Sequence, residues 1–474
     1  MKVLLTGSTG YIGRRLKKKL LEDKNIDLRL LVRNKNGLSS DVANNVEIIQ
    51  GDTFDTESLK IALKDVDIAY YLIHSLNKDN YKDLDRLSAQ NFLDIAVSCN
   101  VKRIIYLGGL GVKNSDTSEH LLSRIETGEI LSSNENIQTI WIRAGIIIGS
   151  GSASFEIVRN LTEKLPVMTT PKWVDTKAQP VAVDDVLLYL QNSLYLQTTD
   201  NLVVDIGSEK LSYKNMMLKT AKVLGLKRVI IPLPFMSINI SSYWLNLFTP
   251  VPFSVAKALI EGLKSEVVIQ NNNAKKYFPN IIPISYEEAV SNAIKEIEND
   301  QVISRWNDNF DNVWEKNSQN EISKAIFIDR KEEDISNIEH SKIYQSFISI
   351  GGDNGWFDFD FLWELRGIID KMIGGVGLKR GRRSQCDLRI SDCLDFWKVV
   401  DLKQNERLLL YAQMKLPGNA WLEFKIKDNK LIQSAYFYPK GVFGRLYWYA
   451  LVPLHYFIFK NMIKSIIKKA ENLK

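Results

Sequence analysis

Leu4-Leu5-Thr6-Gly7-Ser8-Thr9-Gly10-Tyr11-Ile12-Gly13 is the stretch that decides the fold. A short apolar run, Val3 to Leu5, leads into three glycines spaced three apart. Beyond them Ile12, Leu16 and Leu20 fall on one face of a helix. Glycines at such a turn let the backbone bend tightly and approach a pyrophosphate. The helix that follows supplies unpaired N–H groups and the positive end of its dipole. A bare glycine pattern is weak evidence, but the strand before it and the helix after it supply the context a dinucleotide site needs. On this reading Gly7, Ser8, Thr9, Gly10, Tyr11, Ile12 and Gly13 line the cofactor phosphates.

Outward from that turn, strand and helix alternate through residue 150. The apolar runs are KVLLTG, DLRLLVR, VEIIQGD, DIAYYLIH, RIIYLGG and TIWIRAGIIIG. Alternating βα units with apolar strands predict a doubly wound parallel sheet covered on both faces, an α/β fold. From 151 to 298 the alternation loosens into helical segments and Pro-rich loops, which read as a lid on the core of 1–150. Residues 299–320 are polar and Asn-rich and read as a linker to a second domain, 321–474.

The end of the second strand points to the cofactor. Arg33 stands twenty residues past Gly13, where an NAD site wants a carboxylate for the ribose hydroxyls. An arginine there suits a 2′-phosphate, and Asn34 and Lys35 add donors, so NADP(H) is the expected cofactor. Asp52 ends the third strand, either to accept from the adenine amino group or to cap the next helix.

The totals exclude several classes. A net charge of +6 on 474 residues is too mild an excess to argue for nucleic acid. Three scattered cysteines suggest a reducing compartment and a cytoplasmic protein. Four histidines outside any Cys/His cluster leave no expected metal site. Met1-Lys2 leads straight into the first strand, so no signal peptide is expected. Leu446–Phe459 is apolar but shorter than the ~20 residues a transmembrane helix needs. It reads as a buried helix, with weak contact at a membrane surface as the other reading.

TGSTGYIG, Arg33 and GDTFD together resemble the atypical NAD(P)-binding branch of the short-chain dehydrogenase/reductase superfamily, akin to the NAD-dependent epimerases and dehydratases. YYLIHSL, RAGIIIGSGSASFE and LPVMTTPKWVDTKAQPVAVDDV extend the resemblance over about residues 1–295. It implies a Rossmann-type fold and adds Asp52 and Thr53 of GDTFD to the cofactor site. It also implies that the backbone at Ile73 and His74 passes under the adenosine ribose.

That superfamily's chemistry uses Tyr and Lys at i and i+4 on a helix, with a Ser or Thr at the end of the preceding strand. Here the Ser/Thr position is Gly108 or Gly109, and the helix region Thr117–Leu131 holds neither Tyr nor Lys. His120 and Arg124 share the i, i+4 spacing; His120 is the only conceivable proton carrier there and otherwise reads as a surface histidine at a helix N-terminus. Tyr411/Lys415 and Tyr436/Lys440 are decoys. They lie in predicted strands, where i and i+4 are about 13 Å apart at ~3.3 Å per residue.

In the second domain AWLEFKIK alternates, with Leu422, Phe424 and Ile426 on one face, and Asp428–Lys430 turns the chain into LIQSAYFY. A hairpin followed by a long helix, Gly441 onward, predicts an α+β domain. WFDFDFLWELRGIIDKMIGGVGLKRGRRS and FYPKGVFGRLYWYALVPLHYFIF resemble the uncharacterised DUF2867 domain. The hairpin and aromatic helix are similar to the helix-grip fold of the START/polyketide-cyclase type, which implies an apolar cavity. Phe443, Tyr447, Trp448, Tyr449, Tyr456 and Phe459 read as core, and Lys379, Arg380, Arg382 and Arg383 read as a solvated loop or an anion site.

Two readings of function remain. One is an NADP(H)-dependent oxidoreductase on a small hydrophobic or lipid-like substrate, with catalytic residues other than the usual ones. The other is a non-catalytic NADP(H)-binding structural or sensory protein whose second domain binds a lipid or a protein partner.

Overall fold

The computed structural model describes residues 1–474 except 36–37, 39–45, 75–79, 115–116, 234–248, 250–260, 263–264, 307–324, 357–359, 373–374, 376, 378–380, 386 and 474. Two compact units result, Met1–Trp306 and Asn307–Lys474.

The first unit is built on β1 (Lys2–Leu5), α1 (Tyr11–Leu21), β2 (Asp27–Val32), β3 (Glu47–Gln50) and α2 (Thr56–Leu63). It continues with β4 (Ile68–Tyr71), α3 (Tyr81–Ser98), β5 (Arg103–Gly109), α4 (Glu119–Leu131), β6 (Gln138–Ala144) and, farther on, β7 (Leu202–Ile206). The seven strands form one parallel sheet in the order β7-β6-β5-β4-β1-β2-β3. Val3 and Leu5 of β1 enter one buried cluster and Leu4 the other, so both sheet faces are covered. Fully apolar strands are the signature of that burial. The order reverses between β1 and β4, and the strand ends at such a switch point are where doubly wound sheets bind ligands. Residues 299–306, read above as linker, are held to this unit: Ser304 Oγ donates to the Tyr11 carbonyl at 2.8 Å, and the Trp306 amide donates to the Gly151 carbonyl at 2.8 Å.

The second unit contains β8 (Phe327–Asp334), α5 (His340–Ile348), α6 (Asp360–Met372), β9 (Cys393–Leu394), β10 (Trp397–Lys403) and β11 (Arg407–Ala412). It ends with β12 (Gly418–Lys427), β13 (Lys430–Pro439) and α7 (Gly441–Glu471). Its six strands pair antiparallel in the order β8-β13-β12-β11-β10-β9. The β12–β13 turn is Asp428-Asn429, both left-handed at φ 51° and 56°, as a two-residue hairpin with the sheet's twist requires. Leu422, Phe424 and Ile426 enter the main core, while Leu409, Tyr411, Trp421 and Tyr436 form a second cluster from the other strand positions. Tyr411 and Tyr436 are strand residues, so neither forms a helical pair with its lysine.

The sequence expectation of a wholly buried aromatic helix is corrected. In α7, Ile458, Phe459, Met462, Ile463 and Ile466 reach the core. Earlier in the helix Trp448 is buried, but Phe443 is 81% exposed, and Tyr449 and Tyr456 are also exposed. The anion reading of the Gly-rich loop changes too. The buried Arg383 guanidinium pairs with Asp392 and Asp387, and Arg382 donates to the Ile350 carbonyl at 2.7 Å. Both are structural; Lys379 and Arg380 lie outside the described residues. No helix among the described residues is long and apolar enough to cross a membrane.

Candidate active site at the strand ends

The β1–α1 turn is shaped by backbone contacts. Gly7 is left-handed at φ 65°, and a Cβ on it would stand 2.3 Å from the Leu72 carbonyl oxygen at the end of β4. A Cβ on Gly13 would stand 2.1 Å from the Gly7 carbonyl oxygen. The Gly10 amide donates to the Gly7 carbonyl at 2.9 Å, and as N-cap Gly10 brings no side chain to occupy the helix N–H groups.

Several polar groups at and just after this turn have no hydrogen-bond partner among the described residues, the Tyr11 hydroxyl and Arg15 Nε among them. The Ser8 hydroxyl is buried without one, and so is Nη2 of Arg14, although Arg14 Nε donates to the Thr9 carbonyl at 2.8 Å. Unpaired buried donors beside an uncapped helix N-terminus fit a phosphate. The sequence reading missed Arg14, whose only signal was its place directly after Gly13.

Tyr11 turns away from the turn. Its hydroxyl is buried, its ring stacks 5.2 Å from the Arg15 guanidinium carbon, and burial raises its phenol above the ordinary range. Ile12 packs into the core. Arg33 sits one residue past β2, where the sequence placed it. Asp52 does not cap the following helix; Asp55 does, accepting from the Glu57 amide at 3.2 Å. Asp52 instead accepts from the Phe54 amide at 3.4 Å within the loop. The Thr53 hydroxyl is buried and accepts from Ser88 Oγ at 2.7 Å, so Thr53 ties this loop to α3.

At the end of β4, Ile73 packs against the core and His74 joins a hydrogen-bonded chain. The Asp85 carboxylate, from α3, accepts from His74 Nδ1 at 2.7 Å and from Ser123 Oγ at 3.2 Å. His74 Nε2 in turn lies 3.1 Å from Nδ1 of His120 on α4. His120 is therefore no isolated surface histidine. Since the carboxylate only accepts, His74 Nδ1 carries a proton and its Nε2 accepts from His120 Nδ1–H in the neutral pair. Burial lowers both histidines below the usual imidazole range. For His74 the Asp85 hydrogen bond opposes that shift; for His120 the neighbouring His74 and Arg124 deepen it.

The glycines at the end of β5 have occupants of their own. A Cβ on Gly108 would stand 2.2 Å from the indole nitrogen of Trp141 on β6. One on Gly109 would stand 2.6 Å from Leu121 Cδ1, and Arg124 Nη2 donates to the Leu107 carbonyl at 2.6 Å. Restoring a hydroxyl by Gly108→Ser should therefore overpack the strand end and cost about 1–3 kcal/mol. Thermal melts read this, and an unchanged melting temperature would show that Trp141 can move aside.

Residues 7–140 match a family model described as NAD(P)H-binding, and residues 322–462 match one described as a protein of unknown function, DUF2867. Over 128 residues the chain is 32% identical to the auxiliary protein GraX of Staphylococcus aureus (strain NCTC 8325 / PS 47). That match spans 25% of this chain and 40% of the relative. Among solved structures, a triphenylmethane reductase of Citrobacter sp. superposes with TM-score 0.52 at 21% identity, covering 62% of this chain and 100% of that one. Its complex with NADP(H) superposes with TM-score 0.50 at 21% identity, covering 62% of this chain and 100% of that one. A nucleoside-diphosphate-sugar epimerase from Staphylococcus aureus gives TM-score 0.51 at 17% identity, covering 61% and 100%. At these identities the likeness is one of fold.

Proposed function

We propose that this chain, an NAD(P)H-binding Rossmann domain joined to a DUF2867 domain, is an NADP(H)-dependent oxidoreductase acting on a hydrophobic substrate. The observation that carries this is the β1–α1 turn, where the Ser8 hydroxyl and Arg14 Nη2 are buried donors without partners beside an uncapped helix. Bound there, the cofactor would supply a hydride. The chain's own part is to hold the phosphates at Gly7–Gly13, to place Arg33 at the 2′-phosphate, and to present the ends of β4 and β5 to a substrate. The apolar substrate class rests on the second unit, where Val442, Phe443, Leu446, Tyr449 and Phe457 of α7 are exposed. The alternative, a protein that holds the nucleotide without turning it over, is favoured by the packed glycines at the end of β5.

The decisive experiment has two parts. Calorimetric titration should show NADPH binding tighter than NADH, with Arg33→Ala losing roughly 1.5–3 kcal/mol for NADPH alone, the worth of a charge-assisted bond. Equal wild-type affinities would remove the NADP assignment. A triarylmethane cation such as crystal violet takes a hydride to become neutral and needs no proton. It should be bleached by NADPH in the presence of the full chain, and failure of every acceptor with NADPH bound would favour the alternative.

A further inference from the structure

We infer that Asp85, His74 and His120 form a proton relay that stands in for the missing Tyr–Lys pair, with His120 Nε2 as its outer end. The inference rests on the oxidoreductase reading and says how that site handles a proton. His120 is the second residue of α4, and Arg124, four residues on, holds the Leu107 carbonyl at the end of β5. His74 lies just beyond β4, the strand next to β1 at the switch point. The relay thus gathers residues from just past β4, the second turn of α3 and the start of α4, beside the strand ends where such sheets carry their ligands.

In the neutral pair the hydrogen bonds run one way, toward the carboxylate. Asp85 is 3% exposed and takes the Nδ1 proton of His74; His74 Nε2 takes the Nδ1 proton of His120. The ring centroids are 4.8 Å apart. His120 Nε2 is left with a lone pair and no hydrogen bond to a described residue. It can accept a proton from a substrate hydroxyl. As the O–H bond breaks, the C–H bond on the same carbon releases its hydride to the oxidised nicotinamide, and the C=O bond forms. In the reverse direction a protonated His120 gives that proton to the carbonyl oxygen. A positive charge on the histidine pair would be balanced by Asp85, with Arg124 the opposing cation facing both rings. Asp85 and His74 are positioning residues; His120 is the group that would touch substrate.

The test compares two acceptors with NADPH and the full chain. Crystal violet needs a hydride only, whereas hydrophobic aldehydes need a hydride and a proton. In His120→Gln the ratio of aldehyde to dye turnover should fall about 100-fold, the scale of general acid catalysis. Asp85→Asn should lower the same ratio and shift the pH profile of aldehyde reduction. An independent readout is NMR of histidine-labelled protein. The His74 and His120 ring nitrogens should titrate together in wild type, and Asp85→Asn should move His120 through His74. Separate titrations at ordinary imidazole pH would overturn the relay, as would an unchanged ratio in His120→Gln. Dye bleaching with inert aldehydes overturns the catalytic role alone. Inertness toward both acceptors overturns the oxidoreductase reading and the catalytic role with it.

Discussion

Gly13→Ala should abolish measurable NADPH binding. The new methyl carbon would stand 2.1 Å from the Gly7 carbonyl oxygen, 2.7 Å from the Gly7 carbonyl carbon and 2.9 Å from Ser8 Cα. All three are backbone atoms of the turn itself, so no flexible side chain can give way. The turn must open, and the N–H groups that would face the phosphates move with it. A loss of affinity beyond roughly 100-fold corresponds to about 3 kcal/mol. The fold should survive, because overpacking of this kind costs about 1–3 kcal/mol. Gly225→Ala is the control. Gly225 is left-handed at φ 68° with open space around it, so alanine costs about 1–2 kcal/mol through the backbone alone. Calorimetric titration alongside a thermal melt separates the two: both variants lose stability, and only Gly13→Ala loses the nucleotide. Retained affinity in Gly13→Ala would place the nucleotide elsewhere.

Asp205→Ala should produce a large loss of stability in the first unit. Asp205 is fully buried on β7, and its carboxylate accepts from Arg143 Nε at 2.6 Å and Nη2 at 2.9 Å. It also accepts from the Gln270 amide at 2.7 Å. Removing it leaves a mostly buried guanidinium and the Gln270 backbone N–H without this acceptor. Breaking a buried pair from one side costs about 3–5 kcal/mol. Chemical denaturation of the full chain measures it, and a loss below about 1 kcal/mol would show that water or another acceptor replaces the carboxylate. The position lies at the sheet's edge strand, away from the glycine turn, so NADPH affinity of the folded fraction should be retained.

Much of the candidate site was legible because it is local. Gly7, Gly10 and Gly13 are set by one turn, and Arg33 by the end of one strand. In the structure Gly7, Gly10 and Gly13 lie in that turn and Arg33 just past that strand, while the side chains of Tyr11, Asp52 and Thr53 are buried or bonded within the protein. Those three were adjacent to the right motif, but adjacency does not say which way a side chain points. Of the histidine chain only His120 stood out in the sequence, as the one conceivable proton carrier on its helix. Asp85 carried no motif, and His74 and His120 are forty-six residues apart.

By itself the sequence determined the parallel sheet, the glycine turn and the β12–β13 hairpin. Each follows from short-range rules: strand and helix periods, positive φ at glycine, and a turn at Asp428–Lys430, which the structure tightens to the two residues Asp428-Asn429. Only the tertiary structure decided what fills the end of β5 and which half of α7 is covered. Gly108 reads as an empty catalytic position until Trp141, brought alongside by the β5–β6 pairing, is seen to pack against it. An apolar helix says that it avoids water but not where its neighbours lie; here Phe459 meets the core and Phe443 meets none. The physical reason is the same in both cases. Periodicity and backbone preference act over a few residues, whereas burial and proton transfer depend on side chains from distant segments arriving within a few ångströms of each other.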